Sequence, residues 1–89
     1  MPQGPLAFPL PPLGANGDLL SVGSTVTVLS VDSCLLELSL EDQERLRQIV
    51  GQRRRVVTFD SSGFAWLSFV PGPPESADFC LYPAELSLA

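Results

Sequence analysis

Histidine and lysine are both absent from this chain of 89 residues. Without histidine, the commonest general base and the commonest zinc ligand are missing. Cysteine occurs only as Cys34 and Cys80, with no CxxC spacing, so neither a disulfide-rich scaffold nor a metal knuckle is expected. Both thiols are read as small hydrophobes packed in a reducing compartment. As a nucleophile either would need a base beside it, and only carboxylates or a tyrosine could serve, so neither is taken as catalytic. No Gly-rich phosphate loop occurs. No apolar run reaches the roughly 18 residues of a membrane-spanning helix. The start MPQGPLAFPLPPLG has no basic region and is interrupted by prolines, so it is not read as a secretory signal. Five basic residues, all arginine, against ten acidic ones give a net charge of -5, which opposes binding to nucleic acid. The expectation is a cytoplasmic protein with no enzymatic activity, no catalytic residue, no cofactor, no metal and no membrane contact.

Proline is the residue most unevenly present. Positions 2 to 17 hold Pro2, Pro5, Pro9, Pro11 and Pro12 together with Gly4, Gly14 and Gly17, a composition that favours open polyproline II over helix or sheet. Residues 1–21 are therefore read as a Pro-rich flexible tail, and residues 22–89 as one domain. The tail is oily, with Leu6, Phe8, Leu10 and Leu13 set among its prolines. Its Pro9-Leu10-Pro11-Pro12 is a PxxP segment able to dock on an aromatic groove, either its own or a partner's. Phe8 to Leu13, or an equivalent segment of a partner, is expected to lie across Trp66.

In the domain, Val26 and Val28 alternate with Thr25 and Thr27, predicting a first strand over Thr25 to Val31 with one buried face. Leu35, Leu36 and Leu38 are read as a packed loop. Ser39 followed by Asp42 approaches a capping box, acidic Glu41, Asp42 and Glu44 suit a first helical turn, and Gly51 suits a helix end. A helix over Leu40 to Val50 with Leu46, Ile49 and Val50 on its apolar stripe follows. Three strands come next. Arg53 to Asp60 sets Val57 and Phe59 on one face and Val56 and Thr58 on the other. Ser61-Ser62-Gly63 is a hairpin loop with glycine where a positive φ is needed. Phe64 to Val70 is apolar on both faces, as a central strand is. Pro71 to Pro74 breaks the sheet, and Asp78 to Tyr82 returns to it. Tyr82 to Leu86 predicts a single 3₁₀ turn, and Ser87-Leu88 a last short strand.

The stretches VGSTVTVL (22–29), VGQRRRVV (50–57), DSSGFAWLSF (60–69) and LYPAELSL (81–88) resemble successive strands of SH3-like small barrels of the KOW, Mib/HERC2 and photosystem-accessory types. The chain is also similar to small stand-alone bacterial proteins of unknown function with a Gly, then Asp-x-x-Gly-x-x-Trp, then a terminal Glu-Leu. The resemblance implies a mainly β fold: an SH3-like five-stranded small barrel, with one short helix between the first and second strands and a 3₁₀ turn before the last. The acidic, tyrosine-rich loop by which signalling SH3 domains capture proline peptides is not present in recognisable form, so that activity does not carry over.

If Ala65, Leu67 and Phe69 face inward, Phe64 and Trp66 face outward and join Tyr82 in an exposed apolar patch of the kind that meets a protein or peptide partner. Arg53 and Arg55 share a strand face from which Arg54 points away, and they are candidate anchors for an acidic partner; salt bridges to the Glu41 to Glu44 region are the alternative role. The leading expectation is a non-enzymatic adaptor or accessory module binding through Phe64, Trp66 and Tyr82. The alternative is a structural homodimer without a ligand.

Overall fold

The computed structural model describes residues 9–35 and 38–89, apart from the side chain of Cys34. Phe8 and the rest of residues 1–8, Leu36, Glu37 and that thiol lie outside the described residues, and so do the expectations attached to them.

The fold is mainly β, built from two three-stranded antiparallel sheets. Strand β1 (Thr25–Val28) is central in the first, flanked by β2 (Arg53–Arg55) and β6 (Leu86–Leu88). Strand β4 (Ala65–Leu67) is central in the second, between β3 (Thr58–Phe59) and β5 (Phe79–Leu81). The threonine–valine alternation of β1 has its predicted effect, because Val26 and Val28 are fully buried. On β4, Ala65 and Leu67 turn into the core and pair with Leu81 and Phe79 of β5, which are buried as well. These side chains, with Leu20, Val31, Leu46, Ile49, Val56 and Leu86, form the core.

The five-strand expectation needs correction at two points. The run Arg53 to Asp60 is two strands in different sheets, so there are six strands among the described residues. The change of sheet falls at Val56–Val57: Val56 donates its N–H to Ser24 O and accepts from Gly23 N, whereas the N–H of Val57 goes to Trp66 O. The alternation of β2 runs on through Val56, which is buried like Arg54, and changes phase at the corner, after which Val57 and Phe59 are half-buried and Thr58 is exposed. The second point is closure. Ladder pairing holds each sheet separately and does not join them into a closed barrel.

A single helical turn, α1 (Asp32–Leu35), stands where a loop was expected, and Leu35 and Leu38 still pack on the core as that reading had it. Helix α2 (Leu40–Ile49) begins at Ser39, whose hydroxyl accepts the N–H of Asp42, and the chain leaves it through Gly51 at φ +89°. Leu46 and Ile49 are buried as the stripe predicted, but Val50, at the helix end, is 43% exposed. Arg45 of α2 lies over the ring of Phe69, 4.2 Å from its centroid, which ties the helix to the end of β4. The 3₁₀ turn Pro83–Glu85 precedes β6 as read from the sequence. Among the described residues, no helix is long and apolar enough to cross a membrane.

Residues 9–21, assigned by composition to a flexible tail, are folded onto the domain. Leu20 is 2% exposed within the core, Leu10 is buried, and the N–H of Ala15 bonds Leu86 O at the rim of β6. Proline removes helix and ladder options but not burial: leucines set between prolines can still be seated one at a time.

Candidate functional site: an aromatic strip on the second sheet

The antiparallel register that buries Ala65, Leu67, Phe79 and Leu81 sends the intervening side chains to the opposite face. Trp66 stands between Thr58 of β3 and Cys80 of β5. One step further along the same ladder, Phe64 meets Tyr82, and their rings stack with centroids 5.1 Å apart and planes 16° from parallel. Phe64, Trp66, Cys80 and Tyr82 are all half-buried. The structure thus brings the three predicted aromatic residues together on one sheet.

The strip is held from its hairpin end by Asp60. This carboxylate accepts the backbone N–H groups of Ser62 and Phe64 on Oδ1 at 2.9 and 3.0 Å, and the indole Nε1–H of Trp66 on Oδ2 at 2.9 Å. The same residue's carbonyl accepts Gly63 N–H, and its own N–H goes to Phe64 O, which closes the turn. Gly63 sits at φ +90°, a conformation open chiefly to glycine. The hydrogen bond from Trp66 and those from the loop backbone favour the charged form, so the Asp60 carboxyl is held below the ordinary aspartate range despite its partial desolvation. Trp66 therefore has a fixed ring plane and a satisfied N–H, leaving its apolar surface to meet whatever covers it.

Asp78 does a similar job at the opposite end. Its Oδ2 accepts Phe69 N–H at 2.9 Å and the Ser68 hydroxyl at 3.3 Å, and its Oδ1 accepts the Ser76 hydroxyl at 2.8 Å. These bonds, the backbone one foremost, lower its pKa as well, and Arg45 adds a smaller Coulombic pull.

Arg53 and Arg55 belong to the other sheet. They are exposed on β2 and, with Thr25, Pro71, Gly72, Pro73 and Glu75, line a separate hollow of about 240 Å³. The ion pairs proposed between the arginine run and Glu41 to Glu44 are not formed among the described residues, where α2 carries the exposed pair Arg45–Asp42 at 3.8 Å. Arg54 points inward, 7% exposed, and among the described residues it makes four hydrogen bonds: Nε donates to Ser68 O, Nη1 to Arg53 O, and Nη2 to both Phe69 O and Gln52 Oε1. Burial lowers its pKa from the ordinary arginine value, and a guanidinium still keeps its charge.

Sequence reasoning assigned no positioning role to Asp60, Arg54 or Glu85, although it noted all three. Glu85 collects Tyr82 N–H and the Ser33 hydroxyl on Oε1, and the Ser30 hydroxyl and Ser33 N–H on Oε2, so it fastens the turn after β5 to the start of α1. Asp60, Gly63, Trp66 and Glu85 are the residues of the Asp-x-x-Gly-x-x-Trp and Glu-Leu pattern seen in the sequence, and here that pattern is one of hydrogen bonds. Neither family models, curated proteins nor solved structures yield a match to this chain.

Proposed function

We propose that this chain is a non-enzymatic protein-interaction module of the SH3-like small-barrel kind, acting in the cytoplasm as an adaptor or accessory subunit and meeting its partner through Phe64, Trp66 and Tyr82. The observation that carries the reading is the geometry of the strip: two stacked rings and an indole whose donor is already bonded, all half-open to solvent on a rigid sheet. Large, pre-oriented aromatic surface with the indole N–H already bonded is what a binding face needs, since little side-chain freedom is lost on contact. The SH3-like part of the reading is supported by six short antiparallel strands in two sheets, a chain that changes sheet at Val56–Val57, and a 3₁₀ turn before the last strand.

The test is affinity capture from native lysate with the wild-type chain beside Trp66→Ala and Trp66→Phe, with far-UV circular dichroism as the folding control. A protein recovered by wild type and Trp66→Phe, and reduced at least about tenfold with Trp66→Ala, is the expected outcome for a central aromatic contact. Equal recovery by folded Trp66→Ala would end the assignment. A chain that sediments as a tight dimer at low micromolar concentration, with nothing captured, would point to the homodimer instead.

A further inference from the structure

A second groove adjoins the strip and is already filled. It runs between the Asp60–Gly63 turn and the 3₁₀ turn at Pro83–Glu85, and its occupant is the chain's own Pro9–Leu13. The N–H of Leu10 donates to Ser62 O at 2.8 Å, the N–H of Leu20 donates to Pro12 O at 2.7 Å, and the Leu10 side chain is buried. Gly63 makes the seat possible: a Cβ built there would stand 2.5 Å from Leu10 O and 2.6 Å from Leu10 N. Hollows flank the seated segment on both sides. One of about 420 Å³ is bordered by Pro9, Leu10, Phe59 and Asp60, and one of about 330 Å³ by Pro11, Leu13, Tyr82 and Ala84.

We propose that this groove is a receptor for extended, uncharged proline–leucine peptide, and that Pro9–Leu13 is a built-in ligand which a partner segment of the same chemistry displaces. The seated segment shows what the groove accepts. One leucine goes down, prolines on either side hold the backbone open, and one main-chain N–H is offered to Ser62 O. None of the side chains of residues 9–13 carries a charge. An open polyproline-type backbone is already close to its bound form, so ordering costs little.

The occupant can leave without dismantling the core. Gly14 and Ala15 stay fixed through Gly14 N–H to Asp18 O and Ala15 N–H to Leu86 O, and Leu20 stays within the core. Of the described residues, only 9–13 need swing out, at the cost of the Leu10 N–H bond to Ser62 O, the Leu20 N–H bond to Pro12 O that forms one half of the Leu13–Leu19 bridge, and the burial of Leu10. A tethered ligand of this kind acts at a local concentration of order millimolar, so a free peptide of equal quality binds the wild-type chain poorly. The inference does not rest on the aromatic strip, with which the groove shares only Tyr82.

The experiment titrates the synthetic peptide Pro-Leu-Pro-Pro-Leu-Gly-Ala, which copies residues 9–15, into ¹⁵N-labelled full-length chain and follows the amides of Ser62, Gly63 and Ala84. Leu10→Asp, which makes the built-in segment unfit for a buried seat, is expected to bind the peptide at least about tenfold more tightly than wild type, with shifts at those three amides. The milder Leu10→Ala should show the same change to a smaller extent. Identical titrations for wild type and a folded Leu10→Asp chain would overturn the proposal. So would equal binding of a peptide with aspartate in place of its first leucine, or loss of cooperative unfolding in both variants, which would make the segment part of the core rather than a ligand.

Discussion

Asp60 shows how one side chain can fix both a turn and a ring. Its two carboxylate oxygens serve the loop amides and the Trp66 indole together, and asparagine can replace it on one side only, because its Nδ2 is a donor. Asp60→Asn is expected to lower the melting temperature by several degrees and shift Trp66 emission, the only tryptophan signal of the chain. The same residue and Asp78 set a dependence on pH. Both carboxylates have folded pKa values below the ordinary aspartate value of about 3.9. Their contribution is therefore fully present above the unfolded value and is lost as pH falls below about 4 through the lowered folded values. Urea midpoints measured from pH 7 to pH 2 should fall over that acid window, and less steeply in an Asp60→Asn, Asp78→Asn double variant. A midpoint slope unchanged by the double variant would contradict this. None of this was readable from composition. The sequence marks Asp60 as a turn residue, but a partner six positions later across a hairpin is known only when the hairpin is formed.

Elements are legible in the sequence to the extent that their signals are local. Helix α2 has its cap, its acidic first turn and its terminal glycine in order along the chain, and its observed limits differ from the expected ones by a single residue, Val50. Strand β2 shows the contrary. Its arginines read as a surface run, and alternation correctly separates Arg54 from Arg53 and Arg55, but nothing local says that the side receiving Arg54 is the inside of the protein. There it holds the carbonyls of Ser68 and Phe69, beyond the end of β4, to the β2 edge. Arg54→Lys supplies one rotatable ammonium for a planar fork and is expected to cost about 1–3 kcal/mol of unfolding free energy. Chemical denaturation measures it; a loss no greater than that of Arg53→Lys, an exposed neighbour, would refute the role given to Arg54.

For the whole molecule, the question is where the domain starts. Composition sets the boundary after residue 21, whereas the core includes Leu20 and the β6 rim is bonded by Ala15. Leu20→Ala should accordingly destabilise the domain by about 2–5 kcal/mol, the range for emptying a buried leucine site. Thermal melts of the full chain compare it with Leu19→Ala, whose leucine is 69% exposed and should change little. Equal effects from the two would return this stretch to the solvent. By itself the sequence determined the β character, the helix with its caps, the loop at Gly63, the 3₁₀ turn before the last strand and the separation of Phe64 and Trp66 from the face of Ala65 and Leu67, because propensity, alternation and turn chemistry act between residues a few positions apart. Only the tertiary structure decided that the run after the helix splits between two sheets, that Arg54 is internal, that Asp60 orients Trp66, and that a proline-rich stretch is folded back on the domain. Those outcomes depend on burial and pairing between residues far apart in the chain, and no local pattern encodes which distant surface will be there to receive them.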